Sequence, residues 1–334
     1  MAEAETERGA PADQATGGQD GPGKPAGPGR GSWAAAGRRA LAGFKNDSLQ
    51  DRAAALTYYG VQAIFPALLV LVSLLGLIGK SATQPLLTNL TAAAPASVQH
   101  ILHTAITRLQ GSHGAAGLAA VIGIVLGIWS TSSYVAAFMR ASNAIYDVPE
   151  GRPFWKTMPI RLGVTVVLMV LLIFSAVIVV VTGGLARHVG QVVGAGSAAI
   201  TAWNIAKWPV LLILVSLMLA LLYWASPNAK QGFRWLSPGA LLAIVVWLIA
   251  SGLFALYVAS FGHYNKVYGS IAGVIIFLIW LWIANLAVLL GAEFNAELQR
   301  GRAMALGAGP GAEPFVELRD TRKLRGRRTA KPAP

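Results

Sequence analysis

Tyr58 and Gln62 stand four residues apart inside a long apolar run, so one turn of helix puts phenol and amide on one face. A second run carries the cluster Ser130-Thr131-Ser132-Ser133-Tyr134. A third carries Asn285, with Glu293 and Asn295 at its end. In hydrocarbon each such group is costly unless partnered. Two kinds of chemistry follow. One is a polar path for a solute or headgroup; the other is hydrogen bonds between helices, worth about 0.6–2 kcal/mol each. Tyr58, Gln62, Ser130, Ser133, Asn285, Glu293 and Asn295 are therefore the candidates for a substrate path.

Catalytic and metal chemistry find little footing. Cysteine is absent, so thiolate and disulfide chemistry are excluded and cysteine usage says nothing of the compartment. His100 and His103 are three apart with His113 nearby, a spacing that suits a metal, but no carboxylate shares their segment. No acid lies in the middle of an apolar run, which speaks against a proton relay of buried carboxylates. The chain is expected not to be an enzyme, and to carry no catalytic residue, cofactor or metal.

A second set of residues suits headgroups or the water–lipid boundary. Arg161 and Arg234 lie at the ends of apolar runs. Lys207 sits between Trp203 and Trp208. The stretch from Trp208 to Ala225 alone makes about 27 Å of helix, so Lys207 reaches the boundary and snorkels, or else contacts a headgroup. Tyr264, Asn265 and Tyr268 belong to a turn, where tyrosines anchor at the interface.

The elements that position these groups are six apolar runs, at about Ala53–Gly79, Ala115–Met139, Leu162–Ala186, Ile205–Ala225, Pro238–Ser260 and Gly269–Leu290. Each has close to the ~20 residues that cross a bilayer. Of 334 residues, 55% are hydrophobic and only 12% charged, about half the charge of a typical globular chain. The expected fold class is all-α, a polytopic membrane protein with six transmembrane helices plus amphipathic interfacial helices. Residues 1–32, rich in Gly, Pro and Ala, read as a disordered cytoplasmic segment, 33–300 as the membrane domain, and 301–334 as a basic, disordered cytoplasmic tail. No cleavable signal peptide is visible. Trp33, Ala36, Ala40, Leu41 and Phe44 form one stripe of an interfacial helix. A second amphipathic helix is expected over 98–109. Gly123/Gly127 and Gly269/Gly273 are small-xxx-small pairs that allow close helix approach.

Twenty-two of the 27 Lys and Arg, and all 14 acids, fall on one side of this topology. The asymmetry places both termini in the cytoplasm. Tyr58, Gln62, the serine cluster and Asn285 then share one depth, in the inner half of three helices. A cavity open to the cytoplasm is the functional expectation, and interhelical hydrogen bonding the structural one. The basic tail is expected to meet anionic lipid rather than nucleic acid.

Several segments together resemble the YihY/BrkB family of bacterial inner-membrane proteins. They are Ala54-Ala55-Leu56-Thr57-Tyr58-Tyr59 with Phe65-Pro66; Asn143, Tyr146 and Arg152-Pro153-Phe154; Pro227-Asn228 with Trp235 and Pro238-Gly239-Ala240; the run from Phe261 to Ser270; and Gly291 to Leu298. The resemblance covers about Trp33 to Arg300. It implies a six-helix protein of the bacterial plasma (inner) membrane with both termini inside. Members have carried the label ribonuclease BN, regarded as a misassignment; others are linked to serum resistance or to export of lipid or lipopolysaccharide. The expected function is transport of a lipid or other amphiphile that contributes to envelope integrity. A scaffolding membrane protein is the alternative, and a membrane-bound enzyme or nuclease the third reading. Expected partners are membrane lipids, anionic lipid at the basic rim and a second copy of the chain.

Overall fold

The computed structural model describes residues 30–78, 115–180, 197–260, 265–309 and 313–324. Seven α-helices make up most of these: α1 (Arg30–Asn46), α2 (Leu49–Ile78), α3 (Ala115–Ile145), α4 (Phe154–Val180), α5 (Ser197–Ala225), α6 (Pro238–Ser260) and α7 (Asn265–Ala305). Among the described residues there is no strand, only one isolated antiparallel bridge between Ala229 and Leu318. The all-α expectation holds. Among the described residues, four helices, α4 to α7, are long and apolar enough to cross a membrane. The first two apolar runs fall on α2 and α3, which have 30 and 31 residues. The expected helix over 98–109 and the turn at Tyr264 lie outside the described residues.

The outward faces of α4 to α7 are the reason to place the bundle in lipid. Phe174, Val177, Trp208, Leu253 and Leu256 are each more than half exposed. Water would leave that much contiguous hydrocarbon unburied, whereas acyl chains solvate it. Because the helices are apolar on nearly every side, they are held by specific contacts rather than by one greasy stripe.

Those contacts concentrate at one end of the bundle. The buried core there joins Leu49 and Leu56 of α2, Val135, Phe138 and Ile145 of α3, Leu219 and Leu222 of α5, Ala240 and Ala243 of α6, and Leu289 and Ala292 of α7. The α1–α2, α3–α4 and α5–α6 connections and the end of α7 all meet at this end. The six helices α2 to α7 therefore alternate in direction.

Local chemistry explains how the helices stop and start there. α3 ends where Asp147 adopts φ 50°, with Val148 N–H donating to the Asn143 carbonyl at 2.9 Å. Aspartate tolerates that left-handed geometry. α7 ends likewise at Gly307, φ 96°. α6 starts from Ser237, whose Oγ accepts the Ala240 N–H at 3.1 Å, with Pro238 at the first helical position.

Three expectations are corrected. α1 is helical, but its apolar stripe packs on protein. Ala36 and Ala40 are buried against Phe294 and Leu298 of α7, and Trp33 sits 6.1 Å from the Phe294 ring; only Leu41 turns fully outward. The chain after 300 is not a disordered tail throughout. α7 continues to Ala305, which makes it 41 residues or about 60 Å long, twice the ~30 Å hydrocarbon thickness. Residues 313–324 then fold back as a strap across the packed end. Finally, Gly273 faces open space, and the close approach of α7 to α6 falls at another pair. Gly239 of α6 and Gly291 of α7 bring their backbones together so tightly that a Cβ on either would collide with the other's carbonyl oxygen.

Candidate functional site

Three polar constructions occupy the packed end. The first is a clasp around Arg152, whose side chain is 1% exposed. Its Nε and Nη2 donate to the two Glu150 oxygens at 2.8 and 2.7 Å, and its Nη1 and Nη2 donate to the Ala225 and Ser226 carbonyls at 3.2 and 2.8 Å. The guanidinium thus caps the C-terminus of α5, where the helix dipole favours a cation. Burial alone would raise the Glu150 carboxyl, but the hydrogen bonds and charge of Arg152 overcome it and hold the group below its ordinary value. Asn143 of α3 donates to Glu150 at 2.9 Å and accepts the Asn228 N–H at 2.7 Å. The strap is fastened here: Lys156 reaches Asp320 Oδ2 at 2.6 Å, and Arg319 donates to the Trp224 carbonyl at 2.7 Å while lying over the Trp224 ring. The Lys156 hydrogen bond, with that of the Arg322 N–H, lowers the Asp320 carboxyl.

The second construction joins three helices through Asn285. Its Oδ1 accepts from the Tyr134 hydroxyl at 2.9 Å, and its Nδ2 donates to Thr57 Oγ1 at 3.1 Å. Groups of α2, α3 and α7 do meet at one depth, as their spacing suggested. They are bonded directly to each other, so at this point the geometry is that of interhelical fastening.

The third is a pocket of about 460 Å³ between α5, α6, α7 and the strap. Tyr223, Trp224, Gln231, Arg234, Ser237, Asn295, Gln299 and Arg302 supply its polar edge; Ala220, Leu298, Ala303, Leu306, Phe315 and Val316 supply its apolar wall. The amides are fixed by one another. Gln299 Nε2 donates to Gln231 Oε1 at 2.7 Å and to the Tyr146 hydroxyl at 3.1 Å, and Gln231 Nε2 donates to the Tyr223 carbonyl at 2.6 Å. The Tyr223 hydroxyl in turn donates to the Val288 carbonyl at 2.7 Å, beside the Gly239–Gly291 crossing. This volume is in the range of small-ligand sites.

The candidates read from sequence distribute unevenly over these constructions. Arg234 and Asn295 line the pocket. Asn295 also accepts the Gly239 N–H at 2.9 Å, which ties α7 to the start of α6. Tyr58 is 60% exposed and accepts the Gln62 amide at 2.8 Å, so this pair shares a face as expected but points outward. Ser130 is half-buried. Ser133 and Ser132 accept from Arg161 Nη2 at 3.3 and 2.6 Å, joining α3 to α4, while Arg161 Nε is buried with no partner among the described residues. Glu293, 2% exposed, fills the space left by the missing side chain of Gly43 and shares a hydrogen bond with Asp47. Lys207 donates to Asn204 at 3.3 Å and lies over the Trp208 ring. Asn265 opens α7 and Tyr268 lies in its first turn.

Gln231, Gln299 and Arg302 were not singled out from sequence. A usable signal was present: Leu298, Gln299, Arg302, Ala303 and Leu306 recur at helical spacing beyond the last apolar run, which is how a helix face continues past the membrane edge.

A family model described as Virulence factor BrkB matches residues 40–314, which includes the pocket residues on α5, α6 and α7 but stops short of Phe315 and Val316. The chain belongs to the BrkB family. Among curated relatives it is similar to the putative ribonuclease-like protein YfkH of Bacillus subtilis (strain 168), with 30% identity over 76% of this chain and 92% of that protein. It is also similar to a UPF0761 membrane protein of Alkalilimnicola ehrlichii, 29% identical over 81% of this chain, and to one of Xanthomonas campestris pv. campestris (strain B100), 25% identical over 83%. The chain spans 60% and 64% of the length of those two relatives. No solved structure matches it. Membership agrees with the apolar outer faces of the bundle: this BrkB-family chain is an integral membrane protein.

Proposed function

We propose that this protein crosses the bacterial plasma membrane six times, through α2 to α7, with both termini in the cytoplasm, and that it transports a lipid or other amphiphile. The alternating helix directions and the charge asymmetry support the topology. The packed end is then the cytoplasmic rim. The observation that carries the transport reading is the rim pocket and its neighbours in the chain. Phe233, Trp235 and Leu236 of the α5–α6 connection are each about half exposed, and they alternate with pocket residues Gly232, Arg234 and Ser237. An apolar, aromatic lip of this kind sits at the headgroup level of a bilayer. It offers an amphiphile a route from the inner leaflet into a mixed polar and apolar cavity. The partners on this reading are membrane lipids, and no catalytic step is required of the protein.

The test is reconstitution into vesicles carrying a headgroup-labelled lipid, with a membrane-impermeant quencher added outside. The expected result is loss of label from the inner leaflet in vesicles containing the protein, and slower loss when Gly232 is replaced by Trp to obstruct the lip. Vesicles with and without protein that behave alike would refute the transport reading.

A further inference from the structure

We infer that the rim pocket binds a phosphate monoester or diphosphate carried on an apolar chain, with the phosphate held between Arg234 and Arg302. This deepens the amphiphile reading and rests on it for the route of entry, but the site is argued from its own charges. Among the described residues, the only charged side chains that line the pocket are these two arginines, and no acid lines it. Several other arginines of the rim are occupied: Arg39 and Arg300 by carboxylates, Arg152 by Glu150 and two carbonyls, Arg319 by a carbonyl and a ring. Among the described residues, Arg234 and Arg302 have neither an ion pair nor a hydrogen bond to any acceptor. They stand close enough to repel each other. Two unneutralised guanidiniums facing one cavity favour an anion, and the planar fork of donors on each suits tetrahedral oxygens.

Charge selects among anions. A phosphate monoester carries about −1.5 to −2 at neutral pH, which matches the pair. A carboxylate or a phosphodiester supplies one charge and leaves half the repulsion in place. The remaining wall selects for an apolar chain. Leu298, Leu306, Phe315 and Val316 offer it no hydrogen-bond partner except backbone, and Leu306 is 82% exposed at the mouth. A free phosphate ion would leave this surface wet.

Binding is measured by native mass spectrometry and thermophoresis on the full-length protein in a non-ionic detergent. The probes are dioleoyl phosphatidic acid, phosphatidylglycerol and phosphatidylcholine in mixed micelles, and inorganic phosphate alone. Phosphatidic acid is expected to bind about tenfold or more tighter than either other lipid, and inorganic phosphate to compete only weakly. The double variant Arg234→Gln/Arg302→Gln is expected to lower phosphatidic acid affinity by at least about tenfold. The charge-matched control Arg38→Gln/Lys45→Gln, on the exposed face of α1, is expected to leave it unchanged. Leu306→Trp, which fills the mouth and spares both arginines, is expected to weaken the lipid and not inorganic phosphate, so the site remains testable if the double variant fails to fold.

Equal binding of phosphatidic acid and phosphatidylglycerol, or equal losses in the pocket and control variants, would overturn the inference. Inorganic phosphate binding as tightly as the lipid would overturn the apolar-chain half of it. Binding as described without lipid movement in vesicles would refute transport and leave the site standing; lipid movement with no preference for phosphatidic acid in the binding assay would do the reverse.

Discussion

Asn228 and Asp320 are paired as two strands would be, with one of the two backbones replaced by a side chain. The Asn228 amide donates to the Asp320 carbonyl at 2.9 Å, and the Asp320 N–H donates back to Asn228 Oδ1 at 3.1 Å. Genuine backbone pairing flanks this contact: Arg319 N–H reaches the Asn228 carbonyl at 2.9 Å and Lys230 N–H the Glu317 carbonyl at 2.7 Å. The strap is thus added to the α5–α6 connection by main-chain recognition. Phe315 and Val316, a few residues upstream, form one wall of the pocket, so whatever fastens Asp320 also shapes the site.

Asn228→Ala should release the strap. Asn228 is fully buried, and its loss strands the Pro149 and Asp320 carbonyls and the Asp320 N–H, each at about 1–3 kcal/mol if left without a partner. Asn228→Asp should do the same, because a carboxylate keeps the acceptor and loses both donations. Hydrogen exchange read over 317–321 should quicken markedly in both variants while α3 and α7 stay protected. Unchanged exchange would mean that the flanking backbone bonds suffice.

Arg152→Lys should destabilise nearly as much as Arg152→Ala, by about 3–5 kcal/mol. A lysine ammonium cannot span both Glu150 oxygens and two helix-end carbonyls from one buried position. Thermal unfolding in detergent, followed by tryptophan fluorescence, reports the loss. A lysine variant within about 1 kcal/mol of the native protein, the value of an ordinary exposed pair, would show that the fork geometry is dispensable.

Glycine substitutions separate crossing from lipid-facing positions. Gly239→Ala and Gly291→Ala each drive a methyl into an opposing carbonyl, and backbone cannot yield as a flexible side chain would, so a loss of about 1–3 kcal/mol or more is expected. Gly252→Ala and Gly273→Ala meet nothing within 4 Å and should gain up to about 1 kcal/mol from helix propensity. The same unfolding assay checks both. Losses of equal size in all four would contradict the crossing assigned to α6 and α7.

Acid should loosen the strap and tighten the α1–α2 turn. The Glu150 and Asp320 carboxyls lie below their ordinary values of 4.5 and 3.8 in the folded protein. Their contribution is complete above those values and is lost as the pH falls through the lowered ones. Asp47 runs the other way. Burial raises it against the opposing hydrogen bond from Glu293, so its ionised form carries a cost at neutral pH, relieved as the pH falls through the raised value. Hydrogen exchange, corrected for intrinsic rates, should show protection rising in 40–50 on mild acidification and falling in 315–321 only below about pH 4.5. A rise or fall shared by both segments would be inconsistent with these environments.

Sequence alone carried the helical fold, the positions of the apolar runs and the choice of lipid as solvent. Those properties follow from long-range composition and period, which no tertiary contact can reverse: hydrocarbon such as that from Gly163 to Val180 has nowhere else to go. It also carried the depth at which Thr57, Tyr134 and Asn285 meet, since depth is counted along each helix. Tertiary structure decided what lies beside what. Tyr58 and Gln62 share a helical face, but which way that face points depends on how α2 is rotated against α3 and α7, and period says nothing about that rotation. The strap is short, polar and without helical period, so only the unpaired groups of Asn228 and the α5–α6 connection specify its seat. Arg234 and Arg302 are 68 residues apart in sequence, and they come to face one cavity because Gly239 and Gly291 let two helices touch.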